Sequence, residues 1–401
     1  MLTGLMPSQH GVHRWLGQEK PNAQMGPDAY CTIGEFENLP ELLAGQGYRC
    51  GMSGKWHLGD SAHPQLGFDY WFSMTQGHTA SFYGMPAVFE GEEYAEPRYF
   101  TDATTEHSID FLRQVRDDEP FFLYVGFNGP YCVDGDLLKG HRNRHTQYYA
   151  DKELACFPRD QIHPWQYTFK DAIGNPVAFR SYAAAVSGVD DGVGRILAEL
   201  DRMGCGEDTV VVFTADHGSC AGHHGLWGFG EHARPFNLYQ ESLRVPLIIR
   251  YPARIPGGTT ITHMTCNYDL FPSLVSLVCP GVELSGQYKA AGRDYSRELT
   301  GGEIEWGNEI VFHEYETARA VQTREWKLVR RYPEGPDEFY DMRNDSGEQT
   351  NLAGNEEYSS VRKELEEELA SFFERYAAAE YDIWHGGRSK SGEILTQQRT
   401  S

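Results

Sequence analysis

Two short stretches combine residue types that suit the binding of an anion and of a divalent cation. In the first, Lys55 and His57 alternate between two glycines, so an extended backbone places both side chains on one face. Two hydrogen-bond donors on one side form a clamp for an anion. In the second stretch, Asp216 and His217 are adjacent, and a carboxylate and an imidazole can both bind a metal ion. A surface lysine with a packed histidine, and a capping aspartate, are the alternative interpretations.

The elements around these residues must bring them to one place. The apolar run from 210 to 213 before Asp216 predicts a buried parallel strand, because such runs need cover on both faces. Ligands of parallel sheets bind outside the carboxyl ends of the strands. The helical repeat from 180 to 203 precedes this strand and predicts half of a βαβ unit. A further strand, 121–125, ends in a loop on the same predicted edge.

The pattern of the chain predicts an α/β domain followed by a smaller subdomain. We expect residues 1–300 to form a mostly parallel sheet flanked by helices. Amphipathic strands and a charged helix predict a small antiparallel α+β subdomain over 301–384, and 385–401 is expected to be a disordered tail. The aromatic and polar segment 132–175 has little periodicity and is interpreted as an insertion at the rim of a substrate site.

Charge and composition exclude several classes of partner. The formal net charge of −23 disfavours nucleic acid and anionic membranes, so an anionic substrate needs a local positive pocket. No apolar stretch is long enough for a membrane span. The eight cysteines contain no C-x-x-C pair, which favours free thiols over disulfides or a zinc site. Whether the chain forms a homo-oligomer stays open. The location also stays open: cytoplasmic as printed, and periplasmic or extracellular if an export signal lies upstream.

Taken together and in order, these segments resemble the sulfatase family of the alkaline-phosphatase-like superfamily. Leu2-Thr3-Gly4 is similar to the end of the first sulfatase signature, and Gly54-Lys55-Trp56-His57-Leu58-Gly59 to the second. The stretch from Thr214 to Gly218, with the Glu241-Ser242-Leu243-Arg244-Val245-Pro246 segment, is similar to the metal-binding loop and the strand after it. Glu338-Phe339-Tyr340-Asp341-Met342 resembles part of the closing subdomain. Several motifs in the same order make the resemblance specific.

The resemblance implies an activity, a cofactor and roles for residues. It implies hydrolysis of a sulfate monoester, on a small molecule or a carbohydrate, by a hydrated formylglycine beside one calcium or magnesium ion. Asp216 and His217 would bind the metal. Lys55 would contact the sulfate and the nucleophile. His57 would support either the sulfate site or the hydroxyl of the nucleophile. Tyr131, His224 and Phe229 would face the substrate.

The sequence departs from the family in three features, one segment and two single residues. The residue that becomes formylglycine, and the strand with two further metal-binding aspartates, should precede Leu2 and are not in this sequence. A central strand without its neighbour would have an unpaired edge inside the sheet. Pro130-Tyr131 replaces the usual Pro-His, and a phenol is a poorer proton carrier than imidazole near neutral pH. Phe229 stands where the family usually has a lysine.

These departures leave three hypotheses. The chain could be part of a longer, active sulfatase. Alternatively, it is a degenerate relative that binds anions without hydrolysing them, which Tyr131 and Phe229 favour. In the third hypothesis, the substrate is a phosphate or phosphonate monoester, because both are tetrahedral anions. The rates of hydrolysis of an aryl sulfate and of the matching aryl phosphate distinguish a phosphate-monoester hydrolase from a sulfatase.

Overall fold

The larger sheet has five strands in the spatial order β4-β3-β2-β1-β5. The structure is a computed structural model that describes residues 1–17, 25–77, 81–131, 138, 140, 142–286, 289–306 and 309–392. Strand β1 pairs in parallel with β2 and with β5, and β3 and β4 continue the sheet as an antiparallel hairpin. The strands are β1 Arg49–Gly54, β2 Tyr70–Met74, β3 Met85–Phe89, β4 Glu92–Glu96 and β5 Phe121–Gly126.

Helices cover both faces of this sheet. The described α-helices are α1 Pro7–His10, α2 Leu39–Gly45, α3 Phe100–Gln114, α4 Thr146–Tyr149, α5 Pro176–Met203, α6 Gln240–Leu243, α7 Leu270–Val278, α8 Ser296–Leu299 and α9 Ser359–Tyr376. On one face, Phe111 of α3 and Leu200 of α5 pack in one cluster with Phe72 of β2. On the other face, Leu43 of α2 and Val275 of α7 share a cluster with strand β1. The layers agree with the predicted α/β class.

Local sequence explains where the long helix α5 begins and ends. The side chain of Asn175 accepts a hydrogen bond from the Val177 N–H at the start, and Pro176 follows it. Proline suits this position because its missing N–H would have no partner in the first turn. At the end, Gly204 adopts φ 74°, the left-handed conformation that glycine reaches without strain. Within the described residues, neither α5 nor any other helix combines the length and apolarity needed to cross a bilayer.

The strand before Asp216 differs from the prediction. Strand β6, Val211–Thr214, pairs in antiparallel orientation with β7, Leu247–Arg250, and this pair forms a separate sheet. The prediction of a buried parallel strand is therefore wrong for the described residues: Phe213 is 36% exposed and its partner Ile248 is 62% exposed. The physical reason is that a strand becomes buried and parallel only through its neighbours, and β6 pairs with β7 alone among the described strands.

Strands β5 and β6 nevertheless pack under the same helices. Leu123 of β5 and Val211 of β6 both contact the cluster formed with α3 and α5. Helix α7 contacts Tyr124 of β5 through one cluster and Val212 of β6 through another. In the described part of the chain, β5 pairs only with β1, so each of the two strands has one unpaired edge.

The C-terminal subdomain forms as the sequence predicts. Its sheet has the order β11-β10-β9-β8, with every neighbouring pair antiparallel. Leu365, Leu369 and Phe373 of α9 pack on this sheet, which matches the predicted buried side of the charged helix. The strands are β8 Val311–Tyr315, β9 Ala318–Gln322, β10 Trp326–Arg331 and β11 Glu338–Asp341.

The predicted disordered tail is wrong for residues 385–392, while 393–401 lie outside the described residues. Lys390 is 5% exposed, and its ammonium donates to the Thr32 carbonyl at 2.9 Å and to the Glu35 carboxylate. The Ser391 hydroxyl donates to the Arg14 carbonyl at 3.0 Å. These contacts are between positions more than 350 residues apart. Sequence pattern cannot reveal them, because a short polar stretch looks the same whether it is solvated or docked.

Burial of His107 is expected to make the fold less stable in mild acid. His107 is 8% exposed, and burial lowers its pKa to about 4. The unfolded chain therefore binds this proton below about pH 6.5 while the folded chain does not, which removes about 2 kcal/mol of stability by pH 5. We expect His107→Phe, which keeps the ring stack on Phe72, to reduce the loss between pH 7.5 and pH 5 by that amount in urea unfolding. His63→Gln is the control, because Asp60 raises the pKa of His63. An equal loss in wild type and His107→Phe would contradict the prediction.

Candidate active site

Close backbone contact sets the edge at which β1 and β5 end. Gly54 has φ 112°, and a Cβ there would lie 2.2 Å from the Gly126 carbonyl oxygen. The Lys55 N–H donates to the same oxygen at 2.7 Å. Only glycine allows this approach, because any side chain would clash with the neighbouring backbone. The pairing of the two strand ends therefore directs the chain at Lys55 out of the sheet edge.

The ammonium of Lys55 lies against the aromatic ring of Tyr131. The distance from Lys55 Nζ to the ring centroid is 4.9 Å, which is within the range of a cation–π contact. Tyr131 follows the exit of β5, and its N–H donates to the Asn128 carbonyl at 3.1 Å. The Tyr131 ring is also 6.4 Å from the ring of His217, centroid to centroid. Tyr131 thus bridges the cation after β1 and the histidine after β6.

The loop after β6 presents two electron-pair donors. The His217 Nδ1 lies 2.8 Å from the Gly218 carbonyl oxygen. Because a carbonyl oxygen only accepts hydrogen bonds, Nδ1 is assigned the proton, which leaves a lone pair on Nε2. This Nε2 is 3.7 Å from Asp216 Oδ1, and the Asp216 side chain is 63% exposed. The neighbouring imidazole and carboxylate therefore both offer acceptor atoms in one small region.

Two contacts fix the backbone of this loop. A Cβ at Gly218 would lie 2.0 Å from the Glu241 carbonyl oxygen, and the Gly218 N–H donates to the Ser242 carbonyl at 2.9 Å. On the other side, the side-chain amide of Asn267 donates to the Ala215 carbonyl at 3.0 Å. Sequence reasoning missed Asn267, and no local signal could have found it, because this contact spans 51 or 52 positions in a polar loop.

Electrostatics hold Asp216 in its charged form. Desolvation by the surrounding atoms favours the neutral acid, but the neighbouring His217 side chain, the Lys55 ammonium and the His217 backbone N–H oppose it, so the pKa of Asp216 lies below its usual value. The carboxylate is therefore ionised at neutral pH. Lys55 is the cation that balances it from the β1 side, and the Tyr131 ring lies between the two stretches.

The donor set at Asp216 and His217 fits part of a divalent metal site. A carboxylate oxygen and an imidazole nitrogen are both metal ligands, and they lie side by side. A calcium ion takes six to eight ligands, so two protein atoms hold it only together with other ligands. Two other groups of three potential ligands occur among the described residues, Asp28, Asp60 and His63, and His224, Glu241 and Glu348, and neither includes Asp216.

Phe229 forms an apolar wall beside the predicted metal ligand. Its ring stacks on His217 with centroids 3.8 Å apart and an interplanar angle of 24°. The ring also contacts His232 and Tyr315 edge-on, at 5.0 Å and 6.3 Å. Stacking restricts the rotation of the His217 imidazole and keeps water from one of its faces. Phe229 is thus a packing surface for His217, and its predicted contact with substrate stays a prediction.

The structure does not bring His224 to this cluster. Its Nε2 lies 3.1 Å from Glu241 Oε2, its Nδ1 accepts from the Gln349 amide at 3.4 Å, and its ring stacks on Tyr239 at 3.9 Å. The side chain is 6% exposed. Both nitrogens and one face are occupied by the protein, so the predicted contact of His224 with substrate has no support in this arrangement. The ring instead joins the core to the loop after β11.

His57 is positioned by residues of the N-terminal loop. Its Nε2 lies 3.0 Å from the Leu16 carbonyl oxygen, and its ring meets Trp15 edge-on at 6.5 Å. These contacts border residues 18–24, which are outside the described part of the chain. The role of His57 beside Lys55 therefore stays a prediction.

Comparison with known proteins agrees with this geometry. The family model described as Sulfatase matches residues 1–280, more than half of the chain. A second model, described as the C-terminal region of N-sulphoglucosamine sulphohydrolase, matches residues 228–375.

The relatives include enzymes of sulfated carbohydrates. The chain is 26% identical to an N-acetylglucosamine-6-O-sulfatase of Bacteroides thetaiotaomicron, with 86% of this chain and 73% of that protein covered. It is 27% identical to the ulvan-active sulfatase of Formosa agariphila. That match covers 82% of this chain but only 64% of the relative, so this chain spans less than two thirds of the length of the ulvan-active sulfatase.

Solved structures show the same fold. One of them, in complex with its substrate D-glucosamine-2-N,6-O-disulfate, superposes with a TM-score of 0.70 at 23% identity, covering 94% of this chain and 86% of that one. The matching family model, the fold and the grouping of Lys55 with Asp216 and His217 lead to one conclusion. The chain belongs to the sulfatase family, whose members hydrolyse sulfate esters.

Proposed function

We propose that the site of this chain binds the sulfate group of a sulfated amino sugar and contributes to the hydrolysis of its sulfate ester. The observation that carries the proposal is the meeting of Lys55, Tyr131, Asp216 and His217 at the ends of strands β1, β5 and β6. The amino-sugar class follows the relatives named for N-acetylglucosamine 6-sulfate and for glucosamine disulfate.

Each residue has a distinct role in this proposal. Lys55 binds the sulfate oxygens, and the same contact stabilises the negative charge that develops when the ester bond breaks. The Tyr131 hydroxyl donates a hydrogen bond to the anion, and its ring holds the Lys55 ammonium in place. His57 supports the sulfate side of the pocket. Phe229 keeps His217 oriented and excludes water from its face.

Asp216 and His217 would hold a divalent cation, whose positive charge would offset the negative charges of the carboxylate and the sulfate. An ionised carboxylate repels an anionic group at the same site. The lone pair on His217 Nε2 is a hydrogen-bond acceptor, so it cannot donate a hydrogen bond to a sulfate oxygen. We propose calcium in preference to magnesium, because calcium accepts irregular sets of ligands whereas magnesium demands near-ideal octahedral geometry. When bound, the ion supplies positive charge that draws electron density from the sulfate group.

The covalent step needs a nucleophile. The resemblance implies a hydrated formylglycine as nucleophile, and we assign that role to no residue of the printed sequence. The proposal for this chain is therefore sulfate binding at the Lys55 site, with turnover proposed for the protein that also supplies the nucleophile.

A second function, binding without turnover, is favoured by one observation. Phe229 stacks on His217 where the family usually carries a cation, and an apolar ring cannot stabilise a leaving group. In this alternative, the chain recognises sulfated sugars and releases them unchanged.

Two measurements on the purified chain test these proposals. Calorimetric titration with glucosamine 6-sulfate, with and without calcium, is expected to show binding that calcium strengthens. Hydrolysis of 4-nitrophenyl sulfate is expected to exceed that of 4-nitrophenyl phosphate wherever turnover occurs. Binding without sulfate release supports the second function. Preference for phosphate, or no binding of the sulfated sugar, would contradict the sulfatase proposal.

A further inference from the structure

A cavity lies where the core meets the C-terminal subdomain, behind the loop that carries Asp216 and His217. It has a volume of about 460 Å³. Its wall consists of residues from α6, from the loop before α7 and from the strand ends of the subdomain, chiefly Gln240, Arg244, Met264, Gln322, Arg324 and Met342. The cavity contains none of the four residues that form the proposed sulfate site, so it is a separate compartment.

Backbone contacts connect this cavity to the metal-ligand loop. Ser242, which lies within α6 between two lining residues, accepts the Gly218 N–H through its carbonyl at 2.9 Å. Asn267, three positions after the lining residue Met264, donates to the carbonyls of Ala215 and Asp216. The loop that holds Asp216 thus has the cavity wall directly behind it on two sides. The pairing of Thr214 with Leu247 also sets Arg244, which lies just before β7, across from the loop that carries Asp216 and His217.

Arg244 gives the cavity a cation that the protein does not neutralise. Its guanidinium is exposed and forms no hydrogen bond or ion pair with any residue that the structure describes. Arg324 is different, because Glu309 holds its Nε and Nη2 and leaves only Nη1 available. Glu241, the acidic lining residue, is engaged by His224 at 3.1 Å. In a molecule of net charge −23, an unpaired arginine in a concave surface is a local site for an anion.

The other lining groups suit a sugar ring. The Gln240 amide donates to Gln322 Oε1, which fixes both side chains and leaves the Gln322 amide N–H₂ and the Gln240 oxygen for a ligand. A fixed donor and a fixed acceptor can pair with the hydroxyls of a carbohydrate. Met264 and Met342 add apolar surface for the faces of a pyranose ring. A volume of about 460 Å³ exceeds that of one monosaccharide unit.

We propose that this cavity is a second binding site for an anionic sugar unit, next to the unit whose sulfate lies at Lys55. Arg244 binds the sulfate or carboxylate of that neighbouring unit, and Gln240 and Gln322 bind its hydroxyls. The chain then selects sulfated oligosaccharides over monosaccharides. This inference rests on the proposed function, because it takes the Lys55 site as the position of the first unit.

The test compares two ligands with one variant. Titration calorimetry measures the affinity of wild type and Arg244→Gln for glucosamine 6-sulfate and for a heparin-derived tetrasaccharide. We expect Arg244→Gln to raise the Kd for the tetrasaccharide about ten-fold and that for the monosaccharide less than about two-fold, because only the longer ligand reaches Arg244. Arg116→Gln, a 73% exposed arginine on a distant turn, is the control and is expected to change neither.

A second variant tests the inference if the Arg244→Gln protein does not fold. Gln322→Glu places a negative charge in the cavity and is expected to weaken only tetrasaccharide binding. A tetrasaccharide sulfated solely on its terminal unit distinguishes a uronate from a second sulfate as the group at Arg244. Equal losses for both ligands, or none for the tetrasaccharide, would overturn the inference. If wild type binds the tetrasaccharide through Arg244 but not the monosaccharide, the Lys55 proposal fails while the second site stands.

Discussion

Lys55→Ala is expected to raise the Kd of the chain for glucosamine 6-sulfate about thirty-fold or more, a loss of about 2 kcal/mol. The loss has two sources. The variant removes the cation that contacts the sulfate, and it leaves the ionised Asp216 with one opposing charge fewer. A carboxylate without that balance repels the incoming anion. The affinity measured by titration calorimetry at low ionic strength gives the result directly.

Two further variants separate a specific contact from general charge. Lys55→Arg keeps the positive charge, so we expect it to lose less affinity than Lys55→Ala. Lys363→Ala removes a lysine that is 76% exposed on α9, and it is expected to leave the Kd unchanged. If Lys55→Ala and Lys363→Ala weaken binding equally, then Lys55 acts only through net charge and the site is elsewhere.

Lys327→Met is expected to lower the free energy of unfolding by about 3 to 5 kcal/mol. Lys327 is fully buried, and its ammonium donates to the Leu238 carbonyl and to the Glu348 carboxylate. Glu348 in turn accepts the Gln240 N–H at 2.6 Å. Removal of the lysine leaves a buried carboxylate without a counter-charge at the junction of core and subdomain. Urea unfolding followed by circular dichroism measures the loss.

The origin of this loss can be tested by removing the second charge. Lys327→Met with Glu348→Gln eliminates the buried carboxylate but keeps an oxygen for the Gln240 N–H, so we expect it to recover part of the stability. Lys363→Met breaks only an exposed pair with Glu367 and should cost less than about 0.5 kcal/mol. A double variant less stable than Lys327→Met alone would show that buried charge is not the cause.

Much of the fold follows from the sequence because its signals are local. Apolar spacing predicts the body and the end of α5, whereas the structure begins the helix earlier than the predicted residue 180, at Pro176, and ends it at Met203 as predicted. Sequence periodicity also predicts α9 and the amphipathic strands of the C-terminal subdomain, although it takes 320–332 as one strand where the structure has β9 and β10. The sequence also predicts that Lys55 and Asp216 each follow a strand. Their proximity comes from the packing of β5 and β6 under the same helices, because β1 and β6 belong to different sheets among the described residues.

Other features depend on contacts between distant parts of the chain, and only the tertiary structure decided them. The sequence of β6 predicts a strand, but its antiparallel pairing with β7 and its exposure depend on which strands lie beside it. The same holds for His224, whose ring is occupied by Glu241 and Gln349, and for Lys390, which docks against Glu35. Sequence periodicity reports the preference of a segment for one face of a helix or strand. It cannot report which remote segment covers that face, because such contacts are set by the packing of the whole chain.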